Sequence, residues 1–150
     1  KSGILPSCCL TRGSHDFINI ICQDLHISPS EAQLVLKKTG IVKCNLGDKV
    51  RGVIKPILDF YCREILSSVA MYNDIYSDTK SAICSIVLSG AVASSPGFAD
   101  YFANKTGLST QVVNPWRNIS IYPLKPMPKH LNPAYADAIG LAMTSDHLEI

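Results

Sequence analysis

The run Ile83-Cys84-Ser85-Ile86-Val87-Leu88, followed by Ser89-Gly90-Ala91 and then Ser94, Pro96 and Gly97, restricts the fold more than any other stretch. A near-continuous apolar segment bounded by turn residues reads as a strand buried on both faces. A helical pattern resumes from Gly97 to about Thr106, so strand, turn and helix form one βα unit of a mainly parallel sheet. A strand that ends in small residues before a helix start turns backbone N–H groups toward open space. Phosphate or ribose oxygens can settle there, at the positive end of the helix. Small residues equally suit a tight connection on steric grounds alone, and both readings stay open.

The rest of the chain falls into helices around this unit. Gly3 to Leu10 reads as a short strand, and Phe17, Ile20, Ile21 and Leu25 give Asp16 to Leu25 a helical apolar spacing. Ser28-Pro29-Ser30-Glu31 is a helix start: Ser28 caps, Pro29 fits the first helical position, and Glu31 reaches back. That helix passes through Ala32, Val35 and Leu36 and stops at Gly40. Val50, Ile54, Ile57, Leu58, Tyr61 and Ile65 then mark one broad face from Asp48 to about Tyr72. Pro56 lies inside it, where the helix either kinks or restarts. Beyond Gly107, Gln111 to Val113 reads as a second strand and Pro115 to Pro133 as a surface loop. Ala134 to Met143 reads as a last helix, and Asp146 to Ile150 as a tail.

Composition narrows the function classes. A chain of 150 residues, 47% hydrophobic and 17% charged, buries a core and is not disordered. A net charge of +2 with basic residues scattered along the sequence argues against a nucleic-acid surface. Lys37 and Lys38 fall in a last helical turn, where they complement the dipole. No apolar run reaches about 18 residues, the length needed to span a membrane, and no signal-peptide pattern leads the chain. It begins at Lys1 in mid-pattern, as a piece of a longer polypeptide would. Cys22, Cys62 and Cys84 sit in apolar segments as small core residues do. Cys8 and Cys9 are adjacent and no C-x-x-C pair occurs, which points to free thiols in a reducing cytosol. His15, His26, His130 and His147 have no ligand spacing, and no G-x-S-x-G elbow exists.

In order and spacing, several segments resemble the type IV pilus assembly protein PilM family of the actin-like ATPase superfamily. They are Thr11-Arg12-Gly13-Ser14, Ser30-Glu31-Ala32-Gln33, Glu64 to Tyr72, Ile86 to Phe102, Val113-Asn114-Pro115-Trp116 and Ala136 to Met143. FtsA and GspL, which share that fold, match less well. The resemblance implies an α/β, ribonuclease H-like second lobe, truncated. Residues 1–25 and 76–150 would form a subdomain 2A-like core, and 26–75 a reduced helical 2B-like insertion. The first lobe, with its groove for the N-terminal tail of PilN, has no counterpart in the sequence.

The resemblance further implies nucleotide contacts from Gly13, Gln33, Lys37, Ser89, Gly90 and Ala91. Departures weaken that site. Arg12-Gly13 and Gly90-Ala91 stand where the family has paired glycines, and Gln33 replaces an acid. Leu36 falls at the family's lysine position unless Lys37 takes it over. Each lost charged hydrogen bond costs about 1.5–3 kcal/mol, so ATP with magnesium is expected to bind the full-length parent weakly or not at all. The implied role is a cytoplasmic scaffold held at the inner membrane by PilN-like partners and an assembly motor, with self-association as a further expectation. Trp116 and Tyr122 are its candidate contacts, and no catalysis is expected of this fragment alone. The alternative is an active ATP-binding lobe, for which Asp16, Asp24, Glu31 and Glu64 are the acids near the motifs.

Overall fold

The computed structural model describes residues 7, 9–10, 12–76, 82–116 and 133–145. Its elements are α1 (Ser14–Leu25), α2 (Pro29–Lys38), α3 (Asn45–Ile75), β1 (Ser85–Leu88), α4 (Phe98–Thr106), β2 (Ser109–Val112) and α5 (Ala136–Ser145).

Local chemistry sets the helix ends. The Gly13 N–H donates to Asp16 Oδ2 at 2.7 Å to open α1, and His26 closes it in the left-handed region at φ 52°. At α2 the expected capping box forms. The Ser28 N–H donates to Glu31 Oε2 at 2.9 Å, and the Glu31 N–H donates to Ser28 Oγ at 3.3 Å. These Ser28 bonds hold the Glu31 carboxyl below its usual range. Cys44 caps α3, its Sγ accepting the Gly47 N–H at 3.2 Å. The 31 residues of α3 continue through Pro56, so the helix neither ends nor restarts there. Pro56 withholds one N–H from the ladder, and packing along a helix of about 46 Å outweighs that loss.

A mainly helical cluster forms the core of the described residues. Phe17 and Ile21 from α1, Ala32 and Leu36 from α2, and Val50, Ile54, Ile57 and Leu58 from α3 meet Phe98 and Phe102 of α4. Phe17 stands edge-on to Phe98 with ring centroids 5.8 Å apart. Each fully buried aliphatic side chain here contributes about 1.5–3 kcal/mol.

Beside this cluster β1 and β2 pair in parallel, Ser85 opposite Ser109 through Leu88 opposite Val112, with α4 as the crossover. The Val113 N–H extends the ladder to the Leu88 carbonyl at 2.9 Å. The predicted βα unit is therefore present. Its burial is not as expected: β1 alternates exposed and half-buried, and Val87 is 53% exposed. With β2 its one strand partner among the described residues, β1 has an unpaired edge there, and its Ser85 and Val87 are exposed. Cys84 is likewise exposed rather than a core residue, whereas Cys62 is buried as expected. Ser7, Cys9 and Leu10 are not in a strand, and the rest of that predicted segment lies outside the described residues. The predicted proline-rich loop from 117 onward, with Tyr122, and the tail from 146 also lie outside them.

Candidate functional site

The turn joining β1 to α4 is built by its own hydrogen bonds. Gly90 has φ 100°, a conformation that favours glycine, and its N–H donates to the Pro133 carbonyl at 2.9 Å. Ser89 Oγ donates to the same carbonyl at 3.4 Å, so the entry to α5 sits on the turn. Further along, the Ala93 N–H bonds the Gly90 carbonyl, Ser95 N–H the Val92 carbonyl, and Phe98 N–H the Ser95 carbonyl. Four donors of this stretch, those of Gly90, Ala93, Ser95 and Phe98, are thus satisfied within the protein. The expected outward aim does not hold for them, because a connection of this length folds back on itself as successive turns.

The far side of the turn is locked to the loop after α2. The Ile41 N–H donates to the Pro96 carbonyl at 2.9 Å. Gly40 lies at φ 55°, and a β-carbon there would overlap the Pro96 carbonyl oxygen. No larger residue allows this approach.

The remaining nucleotide candidates fall in separate places. Gly13 is the exposed N-cap of α1, and the preceding Arg12 carbonyl accepts the Tyr61 hydroxyl at 2.6 Å. Burial first, and the charge of Asp16 second, raise that phenol above its ordinary value. Gln33 and Lys37 are one turn apart and exposed on α2. Leu36, at the position where the resemblance expects lysine, is 3% exposed within the core. Ser89 and Ala91 are exposed and Gly90 half-buried at the turn. Trp116 is half-buried just beyond β2, its N–H bonded to Asn114 Oδ1 at 3.2 Å.

Two further features were not singled out in the sequence. An apolar groove of about 480 Å³ lies between the second half of α3 and β1, lined by Leu10, Ile65, Val69, Tyr72, Ile83 and Ile86. On the other side of α3, Asp59 gathers three donors: Tyr101 Oη at 2.8 Å, Lys55 Nζ at 2.9 Å and Lys105 Nζ at 3.0 Å. Lys55 foremost, then Tyr101 and Lys105, hold the Asp59 carboxyl well below the usual carboxylate range. Burial, with Asp59 second, pushes the Tyr101 phenol well above its ordinary value. Burial, again ahead of Asp59, raises the neighbouring Cys62 thiol above its ordinary value. The spacing Lys55 to Asp59 was readable as a helical pair, but Tyr101 and Lys105 reach it from another helix. Among the described residues no group of three or more His, Cys, Asp or Glu could hold a metal ion, and no helix is long and apolar enough to cross a membrane.

Comparison with known proteins completes the description. The family model described as type IV pilus assembly protein PilM matches residues 12–146. A chain of a solved "PilM-PilN type IV pilus biogenesis complex" shares the fold with a TM-score of 0.66 and 22% identity. The alignment covers 90% of this chain and 37% of that one, so the sequence spans little more than a third of its structural relative. No curated protein matches the chain.

Proposed function

Because the chain belongs to the type IV pilus assembly protein PilM family, we propose that it is part of a scaffold of pilus assembly that works through protein contacts. The observation that carries this reading is the match over residues 12–146, a range that takes in all five described helices and both strands. In the same reading the chain is an actin-like second lobe, with 1–25 and 76–150 as the 2A-like core and 26–75 as a 2B-like insertion. Its parent is cytoplasmic and meets the inner membrane through a PilN-like partner and an assembly motor. The solved relative with this fold belongs to a complex whose name includes PilN, which supports that choice of partner. Co-purification of the full-length parent with inner-membrane pilus proteins tests the role. Retention of a PilN-like protein is the expected result, and recovery of no pilus component overturns it.

A weak or degenerate nucleotide site belongs to this proposal. Two observations support it. Leu36 is turned into the core, where it offers a nucleotide nothing. The Gly90 N–H is already held by Pro133, so a phosphate at the turn would have to displace that carbonyl. Calorimetry of the full-length parent with ATP and magnesium is expected to show binding weaker than about 100 μM, or none. Micromolar affinity would instead favour an active ATP-binding lobe.

A further inference from the structure

The basic residues that are scattered in sequence converge in space. Arg51, Lys55, Asp59 and Arg63 recur every fourth residue on α3 and so share one face. Lys105 of α4 reaches across to Asp59 at 3.0 Å and stands between two clefts. One, of about 420 Å³, is lined by Lys43, Arg51, Asn104 and Lys105 over an apolar floor of Ile41 and Val42. The other, of about 540 Å³, is lined by Arg63 and Lys105 over Pro56, Cys62 and Leu66. The face as a whole carries five cations, Lys43, Arg51, Lys55, Arg63 and Lys105, against two carboxylates, Asp59 and Asp100. That excess of three exceeds the +2 of the entire chain, so the remaining sequence is slightly acidic.

Among the described residues, Asp59 is the carboxylate that meets a lysine or arginine within 4.0 Å, and its partners are Lys55 and Lys105. Lys43 and Arg51 at one end and Arg63 at the other therefore have no carboxylate within 4.0 Å among the described residues, and each lies beside an apolar floor. We propose that the α3–α4 face binds an acidic peptide segment of a protein partner, with carboxylates on these cations and apolar side chains on the floors between them. Arg51 to Arg63 spans about 18 Å of helix, the reach of about five or six extended residues. A polyphosphate makes no use of the apolar floors, whereas a peptide that alternates acidic and apolar side chains does. The face is a pair of clefts, whereas a lipid surface favours a flat or convex one. This inference rests on charge and shape, independently of the nucleotide reading.

Fluorescence anisotropy on the whole chain tests it, with a labelled octapeptide alternating glutamate and leucine as the probe. The same peptide with glutamine for glutamate is expected to bind at least tenfold more weakly. Lys43→Glu combined with Arg51→Glu should also weaken the acidic probe at least tenfold, and Arg51→Gln alone by a smaller factor. Lys38→Glu with Lys49→Glu alters total charge equally on exposed residues outside both clefts and should leave affinity within twofold. Circular dichroism of each variant establishes that it is folded, and the milder Arg51→Gln serves if the double reversal is not. Equal binding of the glutamine peptide, equal loss in the control pair, or stronger binding to polyphosphate, single-stranded DNA or phosphatidylglycerol vesicles than to the acidic probe overturns the proposal.

Discussion

The Tyr101 hydroxyl donates to Asp59 Oδ1 at 2.8 Å and so ties α4 to α3 across 42 positions of sequence. Lys105 approaches the same oxygen and Lys55 the other, which leaves the carboxylate with a partner on each side. Its worth is tempered by solvent, because the Asp59 side chain remains 30% exposed.

This contact has a pH signature. A carboxyl held below its ordinary value contributes stability fully once the unfolded-state group is ionised, above about pH 4. As pH falls from there toward the depressed folded value, the contribution is lost. Asp59→Asn should therefore melt at a lower temperature than the parent at neutral pH, and the gap should narrow in acid near pH 2.5. Thermal unfolding followed by circular dichroism at both pH values checks it; a gap independent of pH would remove Asp59 from the account.

Gly40 and Gly140 make opposite predictions for one substitution. At Gly40 an added methyl meets the Pro96 carbonyl in a left-handed conformation, so Gly40→Ala should cost about 2 kcal/mol or more. At Gly140, within α5, the same methyl meets nothing within 4 Å. Gly140→Ala should be neutral or stabilise by up to about 1 kcal/mol through helix propensity. Urea unfolding of the two variants gives the comparison. Similar midpoints would mean that the 39–41 loop does not hold the β1–α4 turn.

Leu58 is fully buried on α3 within the cluster that also takes in Phe17, Phe98 and Phe102. Leu58→Ala should cost about 2–5 kcal/mol, the range for a cavity that neighbours only partly fill. Leu66, on the same helix but 41% exposed, should lose less than about 1 kcal/mol on the same change. Denaturant midpoints for the pair report whether the core ends near Cys62.

These contrasts mark what could be read from the residues alone. The Ser28 to Glu31 cap, the α3 face and the strand–turn–helix order were legible, because each depends on neighbours within about a dozen residues. The burial of β1 was not. An apolar run states what a strand can tolerate on its faces, and Val87 nonetheless stays 53% exposed. The turn at Ser89 to Ala91 was legible as small residues, but Pro133, some 40 positions away, supplies its acceptor. The basic face was hidden for the same reason: its cations lie on a loop and two helices that only tertiary packing aligns.

Leu36 decides how far a motif position can be carried over by counting. Counting back from Gly40, the resemblance would put a nucleotide-contacting lysine at this position unless Lys37 takes it over, yet Leu36 lies with Ile21, Ala32 and Ile54 in the core cluster. A lysine introduced there would exchange apolar contacts for a charge without a partner, in a setting that disfavours ionisation. Leu36→Lys should therefore destabilise by about 3 kcal/mol or more and leave ATP affinity no higher. Urea unfolding and calorimetry on one preparation read both quantities. A stable variant that gains nucleotide binding would show that position 36 faces a ligand, and the weak-site proposal would have to be abandoned.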